Sequence, residues 1–175
     1  KVTPKVDAGS YFNVALDDNG TVWTWGQNDR GQLGDGSTTD RYYAAPVLED
    51  VVDIDAGGDS VMALKADGTL WAWGNNNQGG LGVGYGITDV FSPVEVILPN
   101  DSGVKDFATG HQYSVVIMND GTVWAWGYIR YYTTSAGIKG CHVKNLDGTG
   151  VHTIAASDER SFCLFLAGSG TEEGA

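Results

Sequence analysis

The chain has 175 residues, of which 42% are hydrophobic and 26 are glycine, and its formal net charge is −12. This acidic balance argues against nucleic acid and anionic membrane surfaces as direct partners, since phosphate groups attract basic surfaces. No apolar run approaches the length of about 18 residues that a transmembrane helix needs. The many glycines predict tight turns and therefore many short strands.

The first repeated unit contains all the signals of an antiparallel meander. A small pair, Ala8-Gly9, is followed by the apolar run Val14-Ala15-Leu16, the turn Asn19-Gly20-Thr21 and the motif Trp23-Thr24-Trp25-Gly26. Asn-Gly between two apolar runs predicts a hairpin with a type I′ turn, in which both central residues have positive φ. The Trp-x-Trp spacing places two indoles on one face of a strand.

The same unit recurs along the chain. The tryptophan motif returns as Trp71-Ala72-Trp73-Gly74 and Trp124-Ala125-Trp126-Gly127, and Ala156-Ser157 opens a fourth unit. A period of about 50 residues with four short strands is typical of a β-propeller blade. We therefore predict an all-β protein of four-stranded antiparallel blades, about three and a half of them, as part of a larger propeller.

A glycine-rich segment, called the tail of its blade below, follows the tryptophan motif, and its sequence resembles that of a known family. The first tail is Gly26-Gln27-Asn28-Asp29-Arg30-Gly31-Gln32-Leu33-Gly34, and the second, Gly74 to Gly82, differs at one motif position. The third unit departs from the pattern at Tyr128-Ile129-Arg130-Tyr131-Tyr132. These motifs resemble the regulator of chromosome condensation repeat family. The resemblance covers roughly residues 6–166 and implies a seven-bladed propeller.

The repeats also predict the boundaries of the blades. We expect blades over residues 6–53, 54–106 and 107–153, a partial blade over 154–168 and a disordered tail over 169–175. The chain then stops within a blade, and we expect it to be a fragment of a longer protein. Open blade edges expose unpaired backbone groups, which makes them candidate sites of self-association.

Strand direction predicts a binding surface at one end of the blades. The connection between strands 1 and 2 and the long loop between strands 3 and 4 share this end, called the loop face below; the opposite end is the turn face. Loops on a rigid scaffold often carry binding residues, and Tyr and Arg are enriched at hot spots. Arg30 and Arg41 also lie nearby. The candidates are Tyr11, Phe12, Tyr42, Tyr43, Tyr85, His111, Tyr113, Tyr128, Arg130, Tyr131, Tyr132 and Arg160.

Packing is the alternative role for these aromatic residues. Several of the tyrosines could lie under the long loops or between blades rather than bind a partner. The six tryptophans are expected in the structural core because they repeat strictly on strands. They are Trp23, Trp25, Trp71, Trp73, Trp124 and Trp126.

Signals for catalysis, metals or cofactors are weak. The three histidines lack metal-ligand spacing, and so do Cys141 and Cys163, whose disulfide state stays open. Asp35-Gly36-Ser37 resembles part of a calcium loop, but a turn-capping aspartate explains it better. No nucleophile-elbow motif occurs. We therefore expect a protein that is not an enzyme and that binds no metal and no cofactor.

The sequence favours a non-catalytic, protein-binding propeller that uses the tyrosine-rich loop face. The resemblance implies partners that range from small GTPases and chromatin to β-lactamases. The alternatives are nucleotide exchange on a small GTPase, carbohydrate or surface binding by an exported microbial protein, and binding like that of a β-lactamase inhibitor. The lysine-poor composition favours a soluble microbial protein that is secreted or cell-surface. The partner, the organism and the number of blades stay open.

Overall fold

The computed structural model describes residues 1–84 and 88–128 in full, together with the backbone of residue 129 and of four short segments, 132–133, 141–142, 151–156 and 162–166. These residues form antiparallel β-sheets joined by turns and loops, and the described part of the chain contains no helix. The expected disordered tail, 169–175, lies outside the described residues.

The first blade is one four-stranded sheet. Its strands are β1 (Lys5–Ala8), β2 (Phe12–Leu16), β3 (Val22–Gly26) and β4 (Arg41–Leu48), and each pairs with the next in chain order. Alternate residues of β2 are buried, which is the pattern of a strand with one covered face. The outer face of this blade is therefore open.

The second blade repeats the meander with deeper burial. Its strands are β5 (Val51–Gly57), β6 (Ser60–Lys65), β7 (Leu70–Gly74) and β8 (Val90–Glu95), again in chain order. Most residues of β6 and β7 are buried whichever face of the sheet they lie on. A sheet covered on both faces buries continuous apolar runs, as expected for a blade packed between two others.

The third blade keeps the inner three strands. They are β9 (Val104–Thr109), β10 (Tyr113–Met118) and β11 (Val123–Ile129). Two short strands, β12 (Tyr132–Thr133) and β13 (Cys141–His142), both pair with β11. All six residues of β10 are buried.

A hairpin follows the third blade. It consists of β14 (Val151–Ala156) and β15 (Phe162–Leu166), which pair antiparallel. The predictions of an all-β chain and of antiparallel four-stranded meanders are thus confirmed.

The hairpin turns differ in type from the prediction. In blade 1 the Gly20 amide donates to the Asp17 carbonyl, 3.1 Å away, and the Asp17 amide to the Thr21 carbonyl. Gly20 has φ of 86°, whereas Asn19 does not have positive φ. This is a type I turn followed by a left-handed glycine, not type I′. The Asp17 carboxylate accepts from the Asn19 and Thr21 amides, which stabilises this alternative.

The first tryptophan of each motif ties its strand to this turn. The Trp23 indole donates directly to the Asp17 carboxylate over 3.0 Å. In the other two blades the Trp71 and Trp124 indoles each donate over 2.9 Å to a turn threonine, Thr69 or Thr122. These three indoles are half-buried and act within their own blade.

The second tryptophan packs against the preceding blade. The Trp73 side chain is fully buried, and its indole donates to the Gln32 carbonyl of blade 1 over 3.0 Å. Gly34 lies against the Trp73 ring, so closely that a Cβ at this position would be 2.8 Å from the ring. Gly82 meets the Trp126 ring in the same way. The Gly-x-Leu-Gly tail is therefore the contact that joins consecutive blades.

Carboxylates also clamp the innermost strands together. Asp7 on β1 accepts from the Ala56 amide on β5 over 2.9 Å. Asp55 on β5 accepts from the Thr109 amide on β9 over 2.6 Å. These bonds repeat from blade to blade, and they fix the relative height of neighbouring sheets.

Candidate binding face

The loop face is built on tails that are rigid. In the first tail, the Asn28 side-chain oxygen accepts from the Leu33 amide over 2.9 Å. Its nitrogen donates to the Asp35 carboxylate and to the Ser37 and Thr39 carbonyls. One buried asparagine thus holds the whole loop between β3 and β4, which explains the asparagine in the tail motif.

An asparagine in the second tail makes equivalent hydrogen bonds. The Asn76 side-chain oxygen accepts from the Leu81 amide over 3.2 Å. The backbone N–H of Asn76 donates to the Asp89 carboxylate, just as the backbone N–H of Asn28 donates to the Asp40 carboxylate. In both tails a buried asparagine therefore ties the start of the long loop to its end, and side chains on the described parts of this backbone are presented with little loss of freedom on binding.

Three of the predicted tyrosines are exposed at this end. Tyr11 lies in the connection between β1 and β2, with 76% of its surface exposed. Tyr42 is 91% exposed and Tyr43 is 71% exposed. Both lie at the start of β4 rather than within the long loop where the sequence placed them.

Tyr42 and Tyr43 border a shallow depression of about 280 Å³. Polar residues of the first long loop complete it, and Arg41 is paired with Asp35 over 2.8 Å at its base. The arrangement combines exposed rings with fixed charges. The lining residues are Asp35, Ser37, Thr39, Asp40, Arg41, Tyr42 and Tyr43.

Two predicted face residues are core residues instead. Phe12 is 1% exposed and Tyr113 is 2% exposed. Each ring lies over the opening glycine of its own blade, Gly9 or Gly110, where a Cβ would be 2.0 or 2.3 Å from the ring. The glycine leaves room for the ring to turn inward, so neither side chain is available to a partner.

The structure describes some of the remaining candidate residues of the loop face and not others. His111 is half-buried in the connection between β9 and β10, and Tyr128 is half-buried on β11. The side chain of Tyr132 is not described, although its backbone lies in β12. Tyr85, Arg130, Tyr131 and Arg160 lie outside the described residues.

A group of charged residues, missed by the sequence reasoning, converges beside His111. Burial raises the pKa of Asp59, and so do the nearby charges of Asp29 and Asp89, whereas His111 and Arg30 lower it. Arg30 is also paired with Asp89 over 3.2 Å. Asp29 and Asp89 belong to the two long loops, and Asp59 to the connection between β5 and β6. Their positions in loops at the same end of the blades were the sequence signal that could have identified these residues.

The structure offers no built metal site in the parts it describes. Within 1–84 and 88–128, no group of three or more His, Cys, Asp or Glu side chains could hold a metal ion. Over the same described residues, no helix has the length and apolar character to cross a membrane.

Comparison with known proteins identifies the repeat. A family model described as regulator of chromosome condensation (RCC1) repeat matches residues 19–64 and 67–117. A second model with the same description matches residues 5–32 and 51–79. The matches of the first model cover more than half of the chain. The chain belongs to the RCC1 repeat family.

The curated relatives are far longer than this chain. The E3 ubiquitin-protein ligase HERC2 of Homo sapiens is 28% identical in an alignment of 174 positions that covers 88% of this chain and 4% of HERC2. HERC2 of Mus musculus matches to the same extent. The chain therefore spans only a small part of the length of these relatives.

Solved structures confirm the propeller fold. Human WBSCR16 matches with a TM-score of 0.71 at 25% identity, covering 79% of this chain and 37% of WBSCR16. Yeast RCC1 (Prp20), in its complex with Kap60, matches with a TM-score of 0.73 at 23% identity, covering 88% of this chain and 39% of that chain. The RCC1 repeats described above thus pack as blades of a propeller.

Proposed function

We propose that this RCC1-repeat chain is a non-catalytic protein-binding module and that its partner docks on the loop face. The observation that supports this proposal most is the combination of exposed aromatic rings, Tyr11, Tyr42 and Tyr43, with loops that Asn28 holds rigid. Exposed tyrosines on a fixed backbone supply contact area at a low entropic cost, as in other binding surfaces.

The charged residues of the loop face suggest the character of the partner. Asp29, Asp59 and Asp89 outnumber Arg30 in the group beside His111, and the whole chain carries a net charge of −12. A partner with a basic patch would be steered toward this end at low salt. Solution binding should therefore weaken as ionic strength rises.

The loop face can be tested by comparing matched variants. The triple variant Tyr11→Ala, Tyr42→Ala, Tyr43→Ala removes the exposed rings, and the control Glu49→Ala, Asp101→Ala alters exposed residues of the turn face. Proteins captured by the wild-type chain would be identified and their affinities measured by calorimetry. We expect the triple variant to weaken binding at least about tenfold and the control to leave it unchanged.

The opposite result would overturn the proposal. Equal affinities of the wild-type chain and the triple variant, together with a loss in the turn-face control, would place the interface at the other end. If the captured partner is a small GTPase, a nucleotide-release assay separates exchange activity from simple binding, since only exchange accelerates release.

A further inference from the structure

The turns of blades 1 and 2 differ in what lies beside them. In blade 1 only residues 49–50 separate β4 from β5, and the Val51 amide donates to the Gly20 carbonyl of the turn over 2.9 Å. In blade 2 residues 96–103 separate β8 from β9. A Cβ placed on Gly68, the counterpart of Gly20, would have no atom within 4 Å. The longer connection therefore leaves space beside the turn of blade 2.

This space is a groove of about 640 Å³ at the turn face. The turn of residues 67–69 forms one wall, and Glu95 with residues of the 96–103 connection forms the other. Both walls belong to blade 2 and to its link with blade 3. The groove, called the turn groove below, is thus built entirely from the interior of the repeat array.

The connection that forms one wall of the turn groove is fixed near both of its ends. The Ile97 amide donates to the Gly82 carbonyl in the tail of blade 2 over 3.0 Å. At the other end, the Asn119 amide of blade 3 donates to the Gly103 carbonyl over 2.9 Å. Because the backbone is already held in place, a ligand would bind with little further loss of chain entropy.

Aliphatic side chains of the connection give the turn groove an apolar floor. Val96 is 3% exposed, Leu98 is half-buried and Ile97 is 38% exposed, and all three line the groove. Burial of an exposed isoleucine against another apolar group is favourable because it removes apolar surface from water. The floor is therefore suited to an aliphatic side chain of a ligand.

Three acidic side chains line the turn groove beside this floor. They are Asp67, Glu95 and Asp101, all of them exposed, and none of the described lining residues is basic. Hydrogen bonds from the Thr69 hydroxyl and amide, together with the charge of Lys65, hold the pKa of Asp67 below its usual range. Its carboxylate is therefore charged at neutral pH, and the groove favours a cationic ligand.

We propose that the turn groove binds an extended segment of another protein, in which an aliphatic side chain is flanked by lysine or arginine. The aliphatic side chain contacts Ile97, and the basic side chains face the three carboxylates. Charge complementarity favours this occupant, since the net charge of −12 also attracts a basic segment. The groove lies opposite the loop face, so this proposal goes beyond the proposed function and concerns a different ligand.

A synthetic peptide, acetyl-Lys-Arg-Leu-Arg-Lys-amide, is the probe. It would be titrated into the ¹⁵N-labelled full chain while the backbone amide signals are followed. We expect saturable shifts concentrated at Gly68, Thr69, Ile97 and Gly103, with half-saturation below about 1 mM. A matched peptide with serine in place of leucine keeps the charge but loses the apolar contact, and it should bind at least about fivefold more weakly.

Two double variants separate the turn groove from general charge attraction. Glu95→Gln with Asp101→Asn removes two lining charges and should weaken binding about fivefold. Glu49→Gln with Asp50→Asn removes the same charge from the connection of blade 1, and it should change the affinity less than about twofold. The triple tyrosine variant of the loop face should bind the peptide like the wild-type chain, so failure of one proposal is distinguishable from failure of the other.

Several results would contradict the assignment of this ligand. One is the absence of a saturable shift at about 1 mM peptide. Equal affinity of the leucine and serine peptides, or equal losses in the two double variants, would mean that net charge alone attracts the peptide. Shifts of the same signals when only the protein concentration is raised would make a second copy of this chain the occupant.

Discussion

Trp25 and Trp73 occupy the same position of the same motif, yet only Trp73 is fully buried. Both follow a small residue on strand 3, and both lie opposite strand 2 in the same register. What differs is the neighbour: the tail of blade 1 covers Trp73, and no described residue covers Trp25 in that way. Burial in a repeat protein is therefore set by the preceding unit rather than by the motif itself.

The comparison predicts its largest difference in stability when each of the two tryptophans is replaced by alanine. Trp73→Ala should lower the free energy of unfolding by about 3–5 kcal/mol because it leaves a cavity between two blades. Trp25→Ala should cost less, about 2 kcal/mol, since its ring is already partly in water. Urea unfolding followed by circular dichroism measures both. Equal losses would contradict a role for the preceding blade.

A pair of glycines sharpens the same point. Gly34 and Gly68 both have positive φ, 70° and 90°, but only Gly34 lies against another blade. Gly34→Ala should cost about 2–4 kcal/mol through strain and the clash with Trp73, whereas Gly68→Ala should cost about 1 kcal/mol through strain alone. Thermal unfolding of both variants provides the measurement, and similar shifts would show that the contact with Trp73 contributes little.

The clamp between blades 2 and 3 should make stability depend on pH. The pKa of Asp55 is raised to about 7, chiefly by burial and also by the neighbouring charge of Asp7, although the hydrogen bond from the Thr109 amide and the charge of Lys5 act to lower it. The folded state holds the Asp55 proton more tightly than the unfolded state does. The stabilisation that results is therefore present at about pH 4 and is lost as pH rises through about 7. We expect a decline on the order of 2 kcal/mol between pH 5 and pH 8.

The variant Asp55→Asn tests that dependence. Its amide oxygen can still accept from the Thr109 amide, but the side chain does not titrate. We expect most of the decline to disappear in urea unfolding at pH 5, 6, 7 and 8. An unchanged slope would show that other groups, such as Asp59, are responsible.

The smallest expected effect on stability is at the loop face. Tyr42→Ala removes a side chain that is 91% exposed, and it should change the free energy of unfolding by less than about 0.5 kcal/mol. Any loss of partner affinity then reflects the interface itself. A large loss of stability would mean that the ring supports the fold, and the variant could not report on binding.

Much of the fold followed from local signals in the sequence. The repeated Gly-Thr turns and Trp-x-Trp strands predict the meander correctly because both signals act within one hairpin. The predicted turn type was wrong because the Asp17 carboxylate accepts hydrogen bonds from the amides two and four residues later. The Asn-Gly pair alone does not indicate these bonds. Local sequence thus determines the strands better than the details of their turns.

The candidate site was harder to predict because it depends on contacts between units. Phe12 and Tyr113 look like surface aromatics in a loop, but each turns inward over a glycine three residues earlier. The charged group around Asp59 is assembled from three connections that are far apart in sequence. Tyr11, Tyr42 and Tyr43 are exposed where the sequence placed the loop face, and their role in binding stays a prediction.

The most direct test of the central claim is hydrogen–deuterium exchange on the full chain with and without a captured protein partner. We predict that protection on binding is concentrated at the loop face, in the backbone of residues 9–12, 27–43 and 57–60. The turns at residues 17–21 and 65–69 should exchange at unchanged rates. Protection of those turns, with unchanged exchange at the loop face, would contradict the account.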